Sequence, residues 1–165
     1  MKSPWLFVFL TCLSVALFYV AVGERSFKKG EPVLPMFDET DVFAVTAEQN
    51  GRARTFIKDK TGRWTVLEKD GAFVAEGKID GFVARLKNLK KGGAATVVPA
   101  FYAEEGVDES TGCFVTLARE DGTTVASVVI GKSFDENGKT GRFVRLPDDK
   151  RSWRVFPDGD FCPHE

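Results

Sequence analysis

The residue types most useful for catalysis are thinly spread in this 165-residue chain. Its only histidine is His164, beside the C-terminal Glu165. Ser–His or Cys–His chemistry needs a histidine held rigidly against its partner, and a residue so near a chain end is poorly held. With Cys162 and Glu165 it makes a flexible trio, a poor metal site. Gly131-Lys132-Ser133 looks like the end of a phosphate-binding loop. The glycine that this pattern needs five residues earlier is Ala126, and Phe134 to Gly138 reads as a loop where a helix should follow. Asp135, Asn137 and Thr140 miss the spacing of a calcium loop, and Asp158 and Asp160 offer too few ligands. The remaining carboxylates are scattered over turns, and none stands out as a general acid or base. The sequence therefore implies no catalytic residue, no cofactor and no metal, and the expectation is a protein that is not an enzyme.

Two cysteines carry redox information. Cys113 and Cys162 suit a single bridge in an oxidising compartment. Such a bridge would close a loop of about 50 residues, worth up to ~4 kcal/mol on the chain-entropy argument. The alternative is a buried thiol at Cys113 and a free one at Cys162. Trp64 and Trp153 sit on expected strands and read as packing residues. A ligand pocket would need aromatic walls, for which Phe101, Tyr102, Phe134 and Phe143 are the candidates.

These residues need elements to hold them. The stretch from Gly62 to Gly93 organises the chain: a tryptophan-bearing strand, a connection and one amphipathic helix over about 79–91. Ile79, Phe82, Val83, Leu86 and Leu89 fall on one helical face. Phe82, Leu86 and Leu89 join Trp64 and Trp153 in the expected core. Asp80 reads as the N-cap and Gly92 as the left-handed residue after the helix. Lys87, Lys90 and Lys91 lie near the negative end of the helix dipole. They read as a solvated face, or as a patch for an anionic surface.

Around the helix the pattern is antiparallel β. Strands are expected over 41–48, 52–58, 63–68 and 72–75, with Asn50-Gly51 as a hairpin turn. In the second of these, Ala53, Thr55 and Ile57 alternate against Arg52, Arg54 and Phe56. An extended piece over 95–98 and a helical turn over 101–106 follow. Then come strands 113–119 and 124–130 about Asp121-Gly122, a flexible loop over 131–141, and a last pair, 142–146 with 152–156. Val45 to Gly51 faintly echoes Val115 to Gly122, either an internal repeat or the ordinary likeness of two hairpins. The fold class is α+β: β-meander and hairpins, one main helix, and an N-terminal transmembrane or signal helix.

That N-terminal segment runs from Trp5 to Val22 without a charge. It is longer than the core of most signal peptides and approaches the ~20 residues that span a bilayer. An uncleaved membrane anchor through residues 5–22 is the favoured reading. Cleavage after Ala21-Val22-Gly23, with release to the periplasm, is the alternative. The domain plan is then a segment over 1–23, a polar linker over 24–37, one domain over 38–156 and a patternless tail over 157–165. Formal net charge is −1 overall, and Lys2 is the only charge in the N-terminal segment, so bulk electrostatics give no reason to expect nucleic acid as a partner.

The succession of motifs resembles a known family. Gly62-Arg63-Trp64-Thr65-Val66, then Leu86-Lys87-Asn88-Leu89, then Tyr102 with Gly106-Val107-Asp108, then Val128-Val129-Ile130-Gly131, and last Phe143-Val144-Arg145 with Trp153-Arg154-Val155 follow in that order. Together they are similar to the bacterial domain-of-unknown-function family 4340, over about residues 38–156. The resemblance implies a bacterial inner-membrane or exported α+β domain, extracytoplasmic, in some members associated with ABC-type transport systems. It supplies no catalytic residue. Members often continue past the last strand pair, where this sequence has nine residues after Phe156. The expected function is a non-catalytic interaction module of a transport or envelope complex, with a protein partner; binding of a small molecule or envelope polymer is the alternative.

Overall fold

A computed structural model describes residues 29–69, 71–156 and 162. The first half of the domain is a meander of β1 (Ala44–Gln49), β2 (Arg52–Lys58), β3 (Trp64–Val66) and β4 (Ala72–Phe73). Helix α1 (Lys78–Lys87) leads to the short β5 (Gly93–Ala94). After a 3₁₀ turn over Pro99–Phe101 and the single turn of α2 (Tyr102–Glu105), a second meander follows: β6 (Cys113–Ala118), β7 (Thr124–Glu136), β8 (Lys139–Arg145) and β9 (Ser152–Val155). All nine strands form one antiparallel sheet in the order β4-β3-β2-β1-β6-β7-β8-β9-β5. Among the described residues the α+β class expected from the sequence is thus seen as an antiparallel sheet with two short helices.

The halves meet at the centre, where β1 pairs with β6 and Thr46 stands opposite Thr116. These residues hold equivalent places in the two segments that echo each other in sequence. The local dyad that any antiparallel pair has thus passes between matching positions, as either a repeat or two ordinary hairpins would allow.

Alternation sorts the strands into two faces. The inner face carries Val45, Phe56, Trp64, Val115, Leu117, Val128, Val144 and Val155, and α1 covers it with Ile79, Phe82, Val83 and Leu86. Leu89 and Trp153 complete this core, both buried. In β2 the inward residue is Phe56, and Ile57 on the opposite face is 38% exposed, so the two sides alternate as the sequence reads. A phenylalanine buries more apolar area than the isoleucine, and the β1 register sets the face.

Helix α1 is shorter than expected. Gly77 precedes it in the left-handed region at φ +73°, and Asn88 ends it, its side-chain amide donating to the Ala84 carbonyl at 2.8 Å. Asp80 lies inside the first turn and pairs with Lys58 at 3.0 Å. Gly92 does not serve as a left-handed cap. A Cβ there would lie 2.9 Å from the Arg154 carbonyl oxygen, so it is a point of close approach to β9.

Two segments differ more. The loop expected over 131–141 is strand: β7 and β8 run on to a tight turn at Asn137-Gly138, with φ +52° and +74°. Both central residues lie at positive φ, as a hairpin turn whose twist matches its strands requires. The linker expected over 24–37 enters the core from Val33, which is buried with Leu34. Its backbone is tied to the chain after α1: Gly30 N–H to Lys91 O at 2.9 Å, Lys91 N–H to Glu31 O at 2.8 Å and Val33 N–H to Leu89 O at 2.8 Å. Among the described residues no helix is long and apolar enough to cross a membrane. The 1–23 segment, with Cys12, lies outside the described residues, as do Asp158, Asp160 and His164.

Candidate functional site

The outer face of the sheet is divided. Over β7 and β8 it is covered by residues 99–112. Val107 is fully buried there, as is Val129 beneath the segment. The approach is close enough that a Cβ on Gly131 would lie 2.4 Å from the Glu105 carbonyl oxygen, and one on Gly112 would lie 2.5 Å from the Val129 side chain. Gly131, the tempting glycine of the phosphate-loop pattern, is thus a packing position inside a strand.

Polar groups pin this cover down. The Ser152 hydroxyl donates to the Glu105 carboxylate and accepts from the Thr96 N–H at 3.1 Å. Tyr102 donates its hydroxyl to the Lys150 carbonyl, and the Arg145 guanidinium stands over its ring at 4.9 Å. Arg145 also donates to the Val107 carbonyl at 3.1 Å. Ser152 is wholly buried, so this serine and acid form a structural clasp with no approach for a substrate. Lys132 donates to the Ala103 and Glu104 carbonyls at 3.2 and 3.1 Å, capping the end of α2.

Over β3, β2, β1 and β6 the outer face is open and nearly uncharged. The register places Thr55, Thr46, Thr116 and Ser127 directly opposite one another across four strands. The next row holds Phe73, Thr65, Ile57, Ala44 and Ala118. Neither row contains an ionisable side chain. Phe73 is 65% exposed at the β4 edge, with the Arg63 guanidinium over its ring at 4.5 Å, and Leu67, just after β3, is 59% exposed. Where β3 turns away, the Glu68 carboxylate accepts the Thr55 N–H with both oxygens, at 2.8 and 2.9 Å. Sequence reading missed this surface because no single residue of it is unusual; only the pairing register assembles it.

Several carboxylates of the domain are occupied at turns. Asp59, Asp108 and Asp121 each accept a threonine hydroxyl, at 2.6, 2.8 and 2.6 Å. These hydroxyls, joined by backbone N–H groups, hold all three below the usual carboxylate range. For Asp80, burial works against the charge and is outweighed by the Trp64 indole and the Lys58 ammonium. The indole N–H acts there at a distance, without a formed hydrogen bond. General-acid catalysis at neutral pH needs the opposite shift.

The other candidates are placed as follows. Cys113 and Cys162 are joined in a disulfide with Cα atoms 6.3 Å apart, tying the tail to the central strand β6. Asp135 and Thr140 face each other across the β7–β8 hairpin, bonded at 2.8 Å. Among the described residues no group of three His, Cys, Asp or Glu side chains is arranged to hold a metal. Phe134 packs on Phe143 at 4.8 Å and edge-on against Phe156 at 5.5 Å, so these rings contact one another and Tyr102 is held separately under Arg145. Phe101 is 48% exposed. The four aromatics do not wall a common cavity. Comparison of the chain with protein families, curated proteins and solved structures gives no match.

Proposed function

We propose that this protein is a membrane-tethered, extracytoplasmic interaction module. The observation that carries the reading is the open outer face of β3-β2-β1-β6. Two adjacent cross-strand rows lack charge, and loss of charge is the compositional mark of the centre of a protein interface. Exposed Ile57, Leu67 and Phe73 extend the face toward an uncovered edge strand, where a partner could add main-chain pairing. The disulfide supports an oxidising compartment, and the apolar run over 5–22 supports a tether or an export signal. Resemblance to family 4340 supports a place beside a transport or envelope assembly. Carboxylates held low at turns support a non-catalytic role. Binding of a small molecule or envelope polymer is the weaker alternative, since the aromatics that would line its pocket are packed on each other or apart.

The test is site-specific photocrosslinking in cells, with the photoreactive residue at Thr46, Thr116 or Ile57 and, as controls, at Lys60 and Lys139. Discrete adducts at the face positions, abolished by Thr46→Glu in a chain that still folds, support the reading. Equal crosslinking at face and control positions would remove it.

A further inference from the structure

A second surface lies where the chain enters the domain. A groove of ≈ 440 Å³ runs between the end of α1 and residues 29–30, and its rim includes Lys29, Arg85, Lys90, Lys91 and Phe156. The backbone bonds from Gly30 to Lys91 and from Lys91 to Glu31 fix Lys29 beside the basic end of the helix. Lys29, Arg85 and Lys90 are exposed, and no carboxylate among the described residues lies within ion-pair distance of them. Lys87 differs, being paired with Glu39 at 3.1 Å. Lys91 is partly satisfied, its ammonium 4.6 Å from the Trp153 ring; at Asp149, where burial raises the carboxyl and the Arg151 N–H and guanidinium outweigh it, Lys91 adds a smaller lowering of its own. Glu31 is the one acid adjacent in sequence on this side.

The chain before Lys29 matters. Residues 1–28 lie outside the described structure and contain the uncharged run over 5–22, followed by Arg25 and Lys28. If that run is held in a bilayer, as the reading above has it, six residues separate its end from Lys29, a reach of roughly 20–25 Å at most. The basic rim then lies within reach of the headgroups. The chain outside the N-terminal segment carries a net −2, so this rim is a local concentration against a mildly acidic protein.

We infer that the Lys29–Arg85–Lys90 rim rests on anionic phospholipid headgroups and sets the orientation of the domain on its membrane. Phe156, 42% exposed in the groove, faces the same interface. Each cation near an anionic surface strengthens partition by about fivefold at low salt, and the gain fades as salt shortens the Debye length.

The experiment uses the full chain, reconstituted in vesicles of phosphatidylcholine alone or mixed with phosphatidylglycerol. Amine-reactive labelling is read by mass spectrometry at Lys90, with Lys60 and Lys139 as internal references. Labelling of Lys90 relative to the references should fall severalfold in the anionic vesicles and recover at high salt. Arg85→Gln should weaken that protection by about fivefold. Equal labelling in the two lipid compositions would overturn the inference while leaving the tether intact. Tethering is read separately, by extraction of the chain at alkaline pH. A chain that extracts yet still shows lipid-dependent protection at Lys90 refutes the tether and retains the rim as a peripheral contact.

Discussion

Gly131→Ala is the sharpest test of how the two faces of the sheet are built. The added Cβ would sit 2.4 Å from the Glu105 carbonyl oxygen and 2.6 Å from the Val107 side chain, with the Gly106 carbonyl oxygen at 3.1 Å. Two of these are backbone atoms, which cannot rotate away. Either β7 shifts or the 105–107 segment lifts from the sheet. Overpacking of this kind costs about 1–3 kcal/mol. Full lifting would expose Val107 and Val129, at about 1.5–3 kcal/mol for each side chain, so the smaller adjustment sets the expected loss. Denaturant unfolding should show the midpoint falling by an amount equivalent to about 2 kcal/mol with an unchanged slope. Hydrogen exchange adds a local readout: the Val107 amide, bonded to the Tyr102 carbonyl at 2.9 Å, should lose protection, and amides of the β1–β2 hairpin should not. A loss below about 0.5 kcal/mol with Val107 still protected would refute the close-packing account of Gly131.

Three further outcomes follow from the same geometry. Cys162→Ser opens a loop with a sequence separation of 49 and should cost up to ~4 kcal/mol, measured as the difference in unfolding midpoint from the oxidised protein; reducing agent should produce the same shift in the parent and none in the variant. Leu86→Ala removes a fully buried side chain from the face of α1 and should cost about 2–5 kcal/mol, read by thermal unfolding. Acid should weaken the fold in a set direction. Asp59, Asp108 and Asp121 have carboxyls lowered in the folded state, so their stabilisation is complete above the unfolded value near pH ~4 and is lost as pH falls through the folded values. A stability profile that stays flat from neutral pH down to that range and declines below it is expected, with a shallower decline in Asp108→Asn; an unchanged decline in that variant would show that the turn does not depend on the charge.

What could be read from the sequence was what is local. Asn50-Gly51 and Asp121-Gly122 place two hairpins, and Ile79, Phe82, Val83 and Leu86 define the buried side of α1, because turn chemistry and helical period are properties of neighbouring residues. The third hairpin was legible by the same rule. Asn137-Gly138 carries no strand pattern around it because its immediate flanks, Asp135-Glu136 and Lys139-Thr140, are polar: β7 and β8 project there beyond the core and need no apolar alternation. The linker reading failed at Val33 and Leu34 for the converse reason. Pro32 and Pro35 oppose regular structure, yet two apolar side chains between them are enough to bury the segment without it. The outer face was out of reach altogether. Thr46, Thr55 and Thr116 become one row only through a register fixed by pairing across 70 residues of chain.

That long-range pairing has a consequence in time. β1 and β6 are the middle of the finished sheet, yet β6 is made about 70 residues after β1, which at ordinary rates of synthesis is a delay of roughly 4–14 seconds. During it, β1 through β4 and α1 can assemble from local contacts, but one side of β1 offers a row of unpaired N–H and C=O groups beside Val45 and Ala47. An exposed edge with apolar neighbours is the usual template for pairing with the wrong chain. The half-made domain is therefore most vulnerable at what will become its centre, and its disulfide joins Cys113 of β6 to Cys162, made 49 residues later and after β9. The disulfide forms only after that danger has passed, so it secures a sheet already closed and offers no protection to one still waiting for its second half.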